Sequence, residues 1–193
     1  MVYGNFHGKP AAEDQHCEPL GVYGALKFGA EKLVIGYHQV FGIDYTIIRP
    51  SALYGERCVS RRVGQAFIEN ALKGDDLSIN GDGSDSLDFT YIDDLTGGIA
   101  SVITTPAARN QVFNLTYGEA RTLRDLADLV IHRFPNIKVQ LKPWDRLMPE
   151  RGTLDISKAR DLLGYNPAWP IEKGFAKYLD WYEERLARET IEA

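Results

Sequence analysis

Short β-branched runs alternate with amphipathic helical stretches along most of the chain, and this alternation limits the fold more than any other feature. Residues 22–42 read as a helix: Leu26, Leu33, Val34, Tyr37 and Phe41 recur at helical spacing, and Gly42 offers a stop. Asp44 to Arg49 follows as a strand ended by Pro50. A second amphipathic helix spans 60–73, with Val63, Phe67, Ile68 and Leu72 on one side and Lys73-Gly74 closing it. Further strands are expected at Leu77–Asn80, Leu87–Ile92, Val112–Thr116 and Val139–Leu141. Helices are expected from about Asp94 to Ile103 behind an Asp93 N-cap, over 123–134 behind Thr122, from Asp155 or Ser157 to Gly164, and over 171–188. The first twenty residues, with their Gly, Pro and His, read as a loop. Regular alternation of this kind predicts the α/β class.

Composition removes several function classes. The 193 residues are 44% hydrophobic and 25% charged, the balance of an ordinary globular protein. No apolar run approaches the ~18 residues that span a bilayer, and Met1-Val2-Tyr3-Gly4-Asn5 lacks the pattern of a signal peptide. A net charge of -5 argues against nucleic acid as a partner. Cys17 and Cys58 form no CxxC pair and read as free thiols of a reducing cytoplasm. His7, His16, His38 and His132 show no metal-ligand spacing, so no metal is expected.

Tyr23 and Lys27 stand four residues apart, on one face of the first helix. A cation beside a phenol stabilises the phenolate, which suits a tyrosine to proton transfer near neutral pH. Such a pair also arises by chance in a chain with 10 Tyr, so its context decides. That context is Tyr23-Gly24-Ala25-Leu26-Lys27, with Val2-Tyr3-Gly4 upstream and Ile48-Arg49-Pro50-Ser51-Ala52-Leu53-Tyr54-Gly55 downstream. Then come Gly81-Asp82-Gly83 with Leu87-Asp88-Phe89-Thr90-Tyr91-Ile92-Asp93-Asp94, and Leu154-Asp155-Ile156-Ser157-Lys158-Ala159-Arg160. In this order the motifs resemble the extended short-chain dehydrogenase/reductase family, in its NAD-dependent nucleotide-sugar epimerase/dehydratase branch, from residue 2 to about 185.

The resemblance implies a Rossmann-like dinucleotide-binding domain joined to a small α/β substrate lobe. It divides this chain into 1–55, the part of the dinucleotide-binding domain that carries Tyr-x-x-x-Lys, and 56–193, mainly the nucleotide-sugar region, with strand 112–116 returning to the Rossmann sheet. It implies Tyr23 as catalytic acid/base and Lys27 as the group that contacts the nicotinamide ribose of NAD and tunes the tyrosine. Pro50 corresponds to a proline bordering the nicotinamide, Ser78 and Asn80 to positions lining the nucleobase, and Arg151 to an arginine that pairs with the substrate diphosphate. Without the family, Pro50 reads as a strand terminator, Ser78 and Asn80 as ordinary strand residues, and Arg151 as a solvated surface residue. The Asp93-Asp94 pair reads as a cap and a favourable charge at a helix N-terminus. A homodimer through the helix that carries Tyr23 and Lys27 is a further implication.

The departures are as informative. Leu87 stands where the family often has a phosphate-holding arginine, and Ala52 where many epimerases have a substrate-contacting asparagine. Neither GxxGxxG nor GxGxxG occurs among the 18 glycines, although such a turn holds the dinucleotide pyrophosphate in this fold. The family's catalytic Ser/Thr, two or three residues before Val2-Tyr3-Gly4, would fall ahead of Met1. The expectation is therefore a C-terminal portion of a family member, without roughly the first 110–130 residues, about a βαβαβ half. The residues admit three readings. The chain is the back part of a nucleotide-sugar epimerase, close to a UDP-sugar 4-epimerase or, within the family, a dehydratase or ketoreductase. It is a nucleotide-sugar or protein binding module without catalysis. Or it is a non-functional fragment whose helix 22–42 keeps its apolar face exposed and associates through it.

Overall fold

The computed structural model describes residues 1–144 and 148–191. Its elements in chain order are α1 (Gly21–Phe41), β1 (Thr46–Arg49), β2 (Leu53–Tyr54), α2 (Val63–Lys73), β3 (Leu77–Asn80), β4 (Ser86–Leu87) and β5 (Thr90–Tyr91). They continue with α3 (Ile92–Thr104), a 3-10 turn (Pro106–Ala108), β6 (Gln111–Asn114), β7 (Arg121–Thr122), α4 (Leu123–Arg133), β8 (Val139–Lys142), α5 (Ser157–Leu163) and α6 (Ile171–Ile191). The class is α/β.

Among the described residues the strands form four two-stranded sheets. β1 pairs in parallel with β6, β2 with β5 and β3 with β8, while β4 and β7 are antiparallel. Each parallel pair is joined through intervening helices, as parallel pairing requires. The main core lies where α2, α4 and α6 pack against β3, and it is filled by Phe67, Ile68, Leu77, Ile79, Leu126, Val130, Phe175 and Tyr178. A second cluster, with Leu95, Phe113, Leu115, Ala159 and Tyr165, joins α3 and α5 to β6. The residues before α1 form no helix or long strand, yet they are anchored. Val2, Tyr3, Phe6 and Ala11 are buried with Leu154, and Ala11 bridges to Leu154 in parallel register. Gly4 makes the anchoring possible: at φ +73° a Cβ on it would lie 2.1 Å from the Glu18 carbonyl oxygen, so only glycine fits.

Two expectations change. Leu87 to Ile92 is not one strand: it breaks at Asp88 and Phe89, giving β4 and β5 with different partners. The break follows from the full burial of Asp88, which turns its carboxylate inward to the Leu154 N–H and the Thr116 hydroxyl. Asp93 is not an N-cap either. α3 starts two residues earlier, with Tyr91 at the cap position and both acids in its first turn. Asp94 accepts instead from the Ala168 and Trp169 N–H groups at 2.8 and 3.1 Å, tying α3 to the loop before α6. Thr122 does cap α4, in a reciprocal box with Asp125.

α1 differs from the other helices, because Gly24 is its one buried residue. The apolar face seen in the sequence is present but uncovered: Leu26, Leu33, Tyr37 and Phe41 are all exposed. Among the described residues no helix is long and apolar enough to cross a membrane, and no cluster of His, Cys, Asp and Glu could hold a metal ion.

Candidate functional site

A cleft of about 920 Å³ runs between α1, the end of β1, the start of α2 and the β3–β4 region. Every site residue expected from the sequence, Tyr23, Lys27, Pro50, Ser78, Asn80 and Arg151, lies on its wall. Their sequence separations reach 128 residues, so the fold and not local spacing brings them to one surface.

Tyr23, Lys27 and Glu31 follow one another at four-residue steps and form the row of α1 that faces the cleft. The Lys27 ammonium sits 5.7 Å from the centre of the Tyr23 ring. Tyr23 is 58% exposed, so its hydroxyl is open to a ligand. Pro50 follows directly on β1, where Ile47 and Arg49 are buried and the proline is exposed on the cleft. In β3 the alternation does the placing. Leu77 and Ile79 are buried in the main core, while Ser78 and Asn80 lie on the less buried face and line the cleft together with Ile79.

Behind the Tyr23 row lies a polar network that strand patterning did not reveal. Arg49 is only 8% exposed and forms a two-point ion pair with Glu31, Nε to Oε1 at 3.0 Å and Nη2 to Oε2 at 2.7 Å. Its guanidinium stacks 4.7 Å over the Tyr3 ring, and its Nη1 donates to the Glu13 carbonyl. Burial alone would pull the Arg49 pKa down, but the Glu31 carboxylate and Tyr3 outweigh it and hold the guanidinium above its usual range. Burial pushes the Tyr3 phenol up to about 12, against the opposing pull of Arg49. The Tyr3 hydroxyl therefore stays a neutral donor, given to Asn114 Oδ1 at 2.6 Å. Charge-assisted forked pairs of this kind fix geometry, and this one clamps α1 to β1 beneath Lys27. The available signal was small: Glu31 continues the Tyr23–Lys27 row, and Arg49 breaks an apolar strand.

Another part of the cleft wall is built around β4. Arg151 Nη2 donates to Asp85 Oδ2 at 2.7 Å, and the Arg151 carbonyl accepts from the Ser86 hydroxyl at 3.1 Å. Its Nε is buried without a hydrogen-bond partner among the described residues. Arg151 is thus no solvated surface side chain. Leu87 and Ala52, the two departures, also line this cleft, and Ala52 holds a positive φ of 35°. Arg62, just ahead of α2, lines it too.

The arrangement offers a phenol with a cation beside it, polar strand residues and a guanidinium on one cleft wall. Tyr23, Lys27 and Pro50 suit the nicotinamide-ribose end of a dinucleotide. No Gly-rich strand–turn–helix for its pyrophosphate occurs in these 193 residues.

Comparison with known proteins identifies the chain's relatives. Residues 1–116 match the model of the NAD dependent epimerase/dehydratase family. An uncharacterised UDP-glucose epimerase of Bacillus subtilis, YtcB, is 35% identical over 175 residues, 90% of this chain and 55% of that protein. A dTDP-glucose 4,6-dehydratase of Streptomyces antibioticus is 29% identical over 194 residues, 96% of this chain and 56% of that protein. Among solved structures, the UDP-glucuronic acid 4-epimerase of Bacillus cereus, in complex with UDP-glucuronic acid and NAD, superposes with a TM-score of 0.89 at 29% identity. That match covers 95% of this chain and 59% of the epimerase. The chain therefore spans less than two thirds of the length of these relatives.

Proposed function

This chain belongs to the NAD-dependent epimerase/dehydratase family, and from that membership we propose that it carries the proton-transfer and nucleotide-sugar half of a UDP-sugar 4-epimerase-like site. The observation that supports this most is the gathering of Tyr23, Lys27, Pro50, Ser78, Asn80 and Arg151 on one cleft. Residues 1–55 then belong to the dinucleotide-binding part and 56–193 mainly to the substrate part. NAD is the cofactor the family implies, and when bound it supplies the hydride acceptor and donor. Tyr23 takes the proton of a sugar hydroxyl as the carbon that bears it is oxidised, and returns it after the sugar presents its other face. Lys27 holds positive charge beside the phenol throughout, and the Arg49–Glu31 clamp keeps the helix row in place. Ser78 and Asn80 meet the base, and Arg151 meets phosphate. A 4,6-dehydratase or a ketoreductase would use the same tyrosine, and the Streptomyces antibioticus relative keeps the first of these in view. We place the protein in the cytoplasm and propose a homodimer through α1.

The test is direct. UDP-glucose is incubated with NAD and the chain joined behind a Gly-rich dinucleotide-binding half of a family member, because the chain alone is expected to bind NAD too weakly for turnover, and the 4-epimer is followed by chromatography. Tyr23→Phe, which removes the proton carrier, should lower turnover by roughly 10²–10⁴-fold while leaving UDP-glucose binding near wild type. Unchanged turnover in Tyr23→Phe rules out its role as acid/base. UDP-glucose binding by calorimetry without turnover in any variant favours a binding module instead.

A further inference from the structure

Beside Arg151 the cleft carries a counter-charge that the proposed function does not use. Asp85 is 9% exposed and Arg151 18%, and their side chains meet at 2.7 Å. Both are fixed from behind. The Asp85 carbonyl accepts the Leu123 N–H at the start of α4, and Ser86 holds the Arg151 carbonyl. Asp85 and Leu87 flank Ser86 and both line the cleft, as residues two apart on an extended chain do. The cleft thus presents a carboxylate and an aliphatic side chain beside its arginine, with the Met1 amine as a further cation in range of Arg151. We infer that Asp85 is a specificity-determining residue that keeps Arg151 neutralised and so weakens this cleft's hold on a diphosphate relative to a single phosphate. This rests on the nucleotide-sugar assignment of the cleft made above.

The physical reason is simple electrostatics. A phosphate reaching the free edge of the Arg151 guanidinium comes within about 5 Å of the Asp85 carboxylate. Like charges at that separation in a half-buried site cost roughly ten- to a hundredfold in affinity. A second phosphate adds charge on the same side, and Leu87 offers it no donor. The forked guanidinium is also partly used, because one of its nitrogens already serves Asp85.

Calorimetric titration of the chain with uridine, UMP and UDP, and with the thymidine series in parallel, tests this. In the wild type, UDP should bind within about threefold of UMP. Asp85→Asn keeps the shape and removes the charge, so UDP should tighten by roughly tenfold, with uridine unchanged. Asp85→Ser is the second variant and should act in the same direction. Both are first checked for a cooperative thermal melt. Weaker or unchanged UDP binding in the folded variants overturns the inference and makes Asp85 a support that positions Arg151. A wild-type preference for UDP over UMP of a hundredfold overturns it without any variant. Binding of no nucleoside or nucleotide by any form removes the nucleotide-sugar assignment itself, and this inference with it.

Discussion

Asp88 is fully buried and accepts three hydrogen bonds, from the Thr116 hydroxyl and the Leu154 and Gly118 N–H groups at 3.0, 3.0 and 3.1 Å. Burial disfavours its charged form more than those donors favour it, and its pKa is pushed up to about 6 from 3.8. Between these values the folded chain holds a proton that the unfolded chain has released. The stabilisation from this group is therefore complete below the unfolded pKa and is lost as pH rises through about 6. Asp88→Asn abolishes the titration and sets an amide N–H₂ against a donor, which costs roughly 1–3 kcal/mol. Urea midpoints should show the wild type ahead of Asp88→Asn by a wider margin at pH 5 than at pH 7. A margin that widens toward pH 7 contradicts the direction of the shift. Nothing in the sequence around Asp88 signals these partners, because they lie 28 to 66 residues away. Tyr23 and Lys27 are the opposite case. Their spacing puts both on one helical face, and the motifs before and after them, all readable along the chain, were what nominated them.

Elements whose ends are closed by near neighbours were legible. The Thr122–Asp125 box needs residues three apart, and α2 ends on Gly74 in the left-handed conformation. Elements decided by distant partners were not. β4 and β5 separate because Asp88 is drawn inward, and α3 starts early because Asp94 serves the loop at Ala168 and not its own helix. α3 also holds two adjacent glycines with opposite roles. Gly97 is exposed, with nothing within 4 Å of an added Cβ. Gly98 is buried, and its Cβ would lie 2.9 Å from Tyr165 and 3.0 Å from Leu115. Gly97→Ala should gain about 0.5–1 kcal/mol from helix propensity. Gly98→Ala meets two core side chains and should lose a net ~1–2 kcal/mol after the same gain. Thermal melts of the two variants should therefore move in opposite directions. Two shifts of the same sign would mean that Tyr165 and Leu115 yield, or that α3 does not pack as described.

At the scale of the molecule, α1 shows what periodicity alone leaves open. A stripe of apolar residues announces a face that wants covering, without saying what covers it. In the folded chain the helix carries two rows. Tyr23, Lys27, Ala30 and Val34 face the cleft. Val22, Leu26, Leu33 and Val40, at 76, 69, 67 and 73% exposure, form a second row turned roughly 80–100° from the first. Monomeric proteins rarely leave so continuous an apolar surface in water. A self-complementary contact between two copies of this row buries it by the simplest closed symmetry, and it leaves the Tyr23 row free. Sedimentation of the chain should therefore show a dimer or larger species at micromolar concentration. Leu26→Glu combined with Leu33→Glu sets like charges seven residues apart on the contact row and should shift the chain to monomer. Because neither leucine lines the cleft, ligand binding there should be retained. A wild type that sediments as a single monomeric species would leave this row unpartnered in solution and remove the homodimer.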